Sequence, residues 1–114
     1  MKIRWTQEAL DRLIEIEEHI SKDSPPRAIQ FVDQLIEHAE LLSDKPRMGR
    51  AVPELANPDI REIVFKKYRI VYRLKTNCIE ILTVFEGHRL MRLDEINEDN
   101  KITSVKTSTG LVAP

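Results

Sequence analysis

The sequence predicts an α+β domain: a short N-terminal strand and a two-helix hairpin packed on a twisted antiparallel sheet that ends in a three-strand meander. Three observations carry that expectation. Two successive segments repeat apolar residues every three or four positions, separated by Ser21-Lys22-Asp23-Ser24-Pro25-Pro26. A later region, Ile60 to Arg89, is where β-branched and aromatic residues dominate, and the polar breaks Lys66-Lys67 and Lys75-Thr76-Asn77 divide it into three strand-like runs. Two apolar stripes and one alternating sheet bury themselves most simply against each other.

In chain order, Lys2-Ile3-Arg4-Trp5 alternates polar and apolar and is short, which suits a strand at or beside a sheet edge. Thr6 is a helix cap, with Glu8 in the first turn favourably placed against the helix dipole. Ala9, Leu13, Ile16 and Ile20 form the buried stripe of a helix running to about Ser21; Glu8, Asp11, Arg12, Glu15 and Glu18 occupy its other face. Ser24 caps the next helix and Pro25 suits its first position, where a missing N–H costs nothing. Ala28, Val32, Leu35, Ala39 and Leu42 make the second stripe, which ends near Asp44-Lys45-Pro46. The connection is short, so the helices form an antiparallel hairpin.

Residues 45–59 hold three of the six prolines and one of the three glycines, and carry Arg47 and Arg50 without adjacent acids. A connection of that length in a small domain is usually functional or mobile. Within the meander, Tyr68, Ile70, Tyr72 and Leu74 alternate with Arg69, Val71, Arg73 and Lys75, so one strand face is apolar and the other carries three cations. Residues 89–96 suit one or two helical turns. The domain is expected over residues 1–96, with 97–114 a polar tail, disordered when alone.

With 114 residues, 41% hydrophobic and 32% charged, the chain fits one domain with a modest core. No long apolar run points to a membrane span or export signal, and the single cysteine, Cys78, cannot form an internal disulfide; the cytoplasm is the expected compartment. The net charge of −1 hides a partition. Residues 1–44 hold five Lys/Arg against ten Asp/Glu, residues 45–92 eleven against five, and residues 93–114 two against four. The basic middle should meet something acidic, nucleic acid or protein, or else its cations pair with the acidic helices of the same molecule.

No phosphate loop, zinc spacing, paired cysteines or magnesium cluster is legible, so neither cofactor nor metal is expected. His19 and His38 read as solvent-exposed helical histidines. Arg61, Lys66, Arg69, Arg73, His88 and Arg89 can converge on paired strands. That constellation suits either of two chemistries. A metal-free ribonuclease would use His88 and Glu86 as acid and base, with Arg61 and Arg69 supplying positive charge to the transition state. A docking surface would need no chemistry at all.

Helix hairpin, Pro46-Arg47-Met48-Gly49-Arg50 with Val52-Pro53-Glu54, Arg61-Glu62-Ile63, Tyr68-Arg69-Ile70-Val71-Tyr72 and Gly87-His88-Arg89 occur in this order over residues 2–93. In that order they resemble the RelE/ParE superfamily of bacterial toxins from type II toxin–antitoxin modules. The resemblance implies one of two activities: ribosome-dependent messenger RNA cleavage, similar to RelE, or poisoning of DNA gyrase, similar to ParE. The nucleases typically present a late tyrosine or histidine; here no tyrosine follows Tyr72. The sequence therefore looks closer to the ParE-like, plasmid-stabilisation branch, with His88 as the residue a nuclease would use. A third reading is a domain that binds a partner without toxicity. The implied partners are a cognate antitoxin with a disordered acidic and apolar segment, and gyrase, or alternatively the ribosome with its message. Residues expected to meet target or antitoxin are Arg47, Arg50, Arg61, Lys66, Arg69, Val71, Arg73 and Arg89.

Overall fold

A computed structural model describes residues 1–87. The elements are β1 (Lys2–Trp5), α1 (Gln7–Ser21), α2 (Pro25–Glu40), a 3-10 turn (Leu41–Ser43), β2 (Arg50–Ala51), β3 (Ile60–Phe65), β4 (Tyr68–Leu74) and β5 (Cys78–Glu86). The expected turns over 89–96, the tail, and His88 and Arg89 lie outside the described residues.

Both helix starts form as their sequences direct. The Thr6 hydroxyl oxygen accepts from the Ala9 amide at 3.2 Å while donating to the Ile81 carbonyl at 2.8 Å, so one side chain caps α1 and fixes it to β5. Ser24 accepts from the Arg27 amide at 3.4 Å, and proline opens α2. The hairpin covers one face of the sheet. Ala9, Leu13 and Ile16 of α1 and Leu35 and Ala39 of α2 meet Ile63, Tyr68, Ile70, Tyr72, Ile79, Ile81 and Val84 in one core.

The five strands run in the order β1-β5-β4-β3-β2. The expected meander is β3-β4-β5, antiparallel throughout. Two features depart from the expectation. First, β1 pairs parallel to β5, so the sheet is mixed, because α1 and α2 together carry the chain across the sheet before β3 begins. Second, Arg50 and Ala51 form a fifth strand, β2, inside the segment expected to be loop, opposite Glu62 and Arg61. At the β4–β5 pair the register shifts between Val71 and Tyr72: Val71 faces Thr83 while Tyr72 faces Ile81, and Leu82 is the extra residue of a bulge.

The second face of the sheet is not open. Residues 46–59 fold back over it, and Val52 and the partly buried Leu55 join Ile60, Val71, Leu82 and Phe85 in a smaller core. Central β4 is therefore covered from both sides, with Tyr68 through Tyr72 all buried.

Candidate functional site

Three groups of polar residues organise the molecule, and the first closes the face that was expected to be a cationic docking surface. Arg69 is 7% exposed and lies between two acids. Its Nε donates to Glu62 Oε1 at 2.6 Å, and its Nη atoms make a bidentate pair with Glu54 at 2.9 and 2.8 Å. Glu62, 1% exposed, also accepts from Arg50 Nε at 2.7 Å. Hydrogen bonding from Glu54, then from Glu62, holds the Arg69 guanidinium well above its ordinary pKa against the opposing effect of burial. Beyond it, Glu80 pairs with Arg4 and lies 3.8 Å from Lys75.

Several expectations are corrected here. Arg69 and Val71, expected at a contact surface, are buried; Val71 is 0% exposed. Arg73 is half-buried. Among the described residues the basic half finds counter-charges within itself, at Glu54, Glu62, Glu80 and Glu86. Alternation in β4 predicts one apolar and one solvated face, and the covering loop that buries the second is invisible at the level of a strand pattern.

The second group anchors that loop. The Tyr72 hydroxyl donates to the Pro46 carbonyl at 2.8 Å and accepts from the Gly49 amide at 3.0 Å. A Cβ on Gly49 would lie 2.5 Å from the Glu62 carbonyl oxygen and 2.6 Å from the Tyr72 hydroxyl, so no other residue fits without moving backbone. Arg61 Nη1 donates to the Gly49 carbonyl at 2.7 Å, while its buried Nε has no hydrogen-bond partner. The stretch Pro46 to Glu54 thus makes a contact at nearly every second position: Pro46 and Gly49 on Tyr72, Arg50 on Glu62, Val52 in the apolar cluster, Glu54 on Arg69. Arg47 and Arg50 remain exposed, and Arg47 lines a cleft of about 450 Å³ with Lys45, Met48, Leu74 and Lys75.

The third group surrounds a cleft of about 630 Å³ where the end of α1, the start of α2 and the β3–β4 turn meet. Ile20, Phe31 and Tyr68 contribute apolar surface; His19, Asp23, Arg27, Gln30, Gln34, Lys66 and Lys67 contribute polar groups. Lys66 has φ 54°, the left-handed region, in a two-residue turn between paired Phe65 and Tyr68. For a residue with a Cβ that costs about 1–2 kcal/mol, and glycine or asparagine would fit more easily. Lys66 Nζ lies 5.6 Å from the Phe65 ring centre and Lys67 Nζ 5.9 Å from that of Tyr68. Lys67 also pairs with Glu86 at 3.1 Å, which raises the lysine pKa. Glu86, the base or acid of the nuclease reading, is thereby engaged.

Of the residues predicted for a site, the structure brings Lys66 to this cleft, Arg50 and Arg69 to the buried network, and Arg61 to the loop anchor. It joins Arg50 and Arg69 through Glu62 but does not bring all of them to one place. Sequence reasoning missed Glu54, Glu62, Gly49 and Tyr72 as the closing set, and Arg27, Gln30 and Gln34 as cleft residues; the last three sit at spacings of three and four on α2, a signal available in the sequence. The sequence pattern also puts Glu8 on the face opposite the apolar stripe. Glu8 is 6% exposed, accepts from Arg12 Nε at 2.8 Å and faces the Thr83 hydroxyl at 3.4 Å. His38, expected in solvent, is half-buried with its ring centre 5.3 Å from that of Phe65. Among the described residues no cluster of His, Cys, Asp and Glu could hold a metal, and no helix is long and apolar enough to cross a membrane.

A helix hairpin over one face of a sheet is the fold that the resemblance to the RelE/ParE superfamily implied. A family model for the ParE toxin of the type II toxin–antitoxin system parDE matches residues 3–91. Y4kP of Sinorhizobium fredii, which bears a toxin's name, is 37% identical over 93 residues, covering 77% of this chain and 90% of that protein. A solved structure of a chromosomal ParDE toxin–antitoxin system from P. aeruginosa matches with a TM-score of 0.67 at 23% identity, over 75% of this chain and 95% of the other; at that identity it speaks to the fold. The chain belongs to the ParE toxin family, as the toxin of a type II toxin–antitoxin pair, and such a toxin has a cognate antitoxin as its partner.

Proposed function

We propose that this toxin stops growth by occupying a surface of DNA gyrase in the cytoplasm, and that its cognate antitoxin neutralises it by binding. The observation that carries this reading is the engagement of the polar groups on the sheet. A metal-free nuclease needs an acid, a base and cations free to meet a phosphate. Here Arg69 is held between Glu54 and Glu62, the Tyr72 hydroxyl is used by Pro46 and Gly49, and Glu86 is paired with Lys67. What the surface offers instead is a set of exposed cations, Arg47 and Arg50 among them, suited to docking.

The test is direct. Purified toxin incubated with gyrase, ATP and plasmid should inhibit supercoiling or accumulate cleaved DNA, and message on translating ribosomes should stay intact. His88→Ala should leave toxicity nearly unchanged. Ribosome-dependent cuts that vanish in that variant would establish RNA cleavage in place of gyrase poisoning, and harmless expression without antitoxin would establish a partner-binding domain.

A further inference from the structure

We propose that the cleft between the α1–α2 connection and the β3–β4 turn is where the antitoxin docks, and that it receives a short acidic peptide segment carrying one apolar anchor. This rests on the toxin–antitoxin reading and adds the surface and its chemistry. The volume of about 630 Å³ lies within the range that encloses a small ligand or a few side chains. Ile20, Phe31 and Tyr68 form the apolar part that the anchor would meet. Around them stand Arg27, Lys66 and Lys67 against one lining carboxylate, Asp23. Among the described residues only Lys67 of these three cations has an ion-pair partner, so Arg27 and Lys66 are available to incoming carboxylates.

Three features favour a peptide over a nucleic-acid strand. Gln30 and Gln34 stand one helical turn apart along the wall, and each side chain both donates and accepts, which matches the alternating N–H and C=O groups of a main chain. Phe31 packs edge-on against Tyr68 with ring centres 5.6 Å apart and tilted against Phe65 at 5.5 Å, so ring faces that could stack on bases are used within the protein. Asp23 in the wall repels a phosphate chain but tolerates a peptide whose acids lie toward the opposite lysines. The turn places two adjacent lysines at the mouth, and it does so with Lys66 in a backbone conformation where glycine or asparagine would be easier.

The experiment uses the full toxin chain and its purified cognate antitoxin. Arg27→Glu combined with Lys66→Glu reverses the two unpaired charges; both sites are exposed, and a glutamate at position 27 would complete a capping box with Ser24, so the fold should persist and a thermal melt will show it. Affinity should fall about 10- to 100-fold, mainly through slower association, and lose much of its salt dependence, while killing without antitoxin stays intact. Arg27→Gln with Lys66→Asn should weaken binding less while raising the melting temperature through the relaxed turn. Unchanged affinity in the reversed variant overturns the cleft assignment alone. Lost killing with unchanged affinity assigns the cleft to the target, and loss of wild-type binding to a single-stranded oligonucleotide assigns it to nucleic acid. Failure of the wild-type toxin to bind its antitoxin overturns the toxin–antitoxin reading and the docking site with it.

Discussion

Arg69 and Glu62 are diagonal neighbours across the β3–β4 pair, and the arginine Nε meets the glutamate at 2.6 Å beneath a loop that supplies Glu54 from above. Removing one member of such a buried pair strands the other, at a cost of about 3–5 kcal/mol. Arg69→Met should therefore be severe, and Glu62→Gln less so because the amide still accepts. The double change Arg69→Met with Glu62→Leu should cost less than the sum of Arg69→Met and Glu62→Leu made singly. Urea titrations of all four proteins measure that coupling. Arg69→Glu would bring three carboxylates together and unfold the second face, so its loss of toxicity would report stability, whereas exposed Arg47 or Arg50 can probe docking.

Gly49→Ala should destabilise by about 1–3 kcal/mol, because the new methyl meets a backbone carbonyl and the Tyr72 hydroxyl inside van der Waals distance. Tyr72→Phe leaves the Gly49 amide and Pro46 carbonyl without their shared partner and should cost about 1–3 kcal/mol if they stay buried. Both variants should loosen the same segment. Hydrogen exchange at residues 46–54 faster than in the wild type, with the helices unchanged, is the expected signature.

Leu35→Ala empties the centre of the larger core, where Leu35 is 0% exposed. The loss should be about 2–5 kcal/mol, a large share of a small domain's stability. An unaltered melting temperature would contradict this packing.

Alkali should weaken the fold through its buried phenols. Burial holds both Tyr68 and Tyr72 above the ordinary tyrosine pKa. Below pH about 10 both tyrosines are neutral folded or unfolded, and this contribution to stability is complete. Above it the unfolded chain releases protons that the folded chain keeps, so stability falls as pH rises toward the folded values, by up to about 1.4 kcal/mol per pH unit for each tyrosine. Tyr72→Phe should reduce that slope. Urea midpoints between pH 9 and 11 give the comparison.

The elements were legible in the sequence because their signals are local. Thr6 and Ser24 mark helix starts by offering an oxygen to a nearby amide, the stripes of Ala9, Leu13 and Leu35 need only the 3.6-residue period, and Lys66-Lys67 interrupts two strand runs. The identity of the faces was not local. Whether Arg69 meets water or Glu62 depends on a loop reached from fifteen residues away in sequence, and a period of two reports only that neighbouring residues point oppositely. Parallel pairing of β1 was likewise undecidable from four residues, since it follows from where the hairpin returns the chain. The sequence by itself determined the helices, the meander and the charge partition. Only the tertiary structure decided that Arg69 of β4 neutralises internal acids, and that Arg27 and Lys66, on different elements, share one cleft, because both outcomes depend on contacts between segments that periodicity treats as independent.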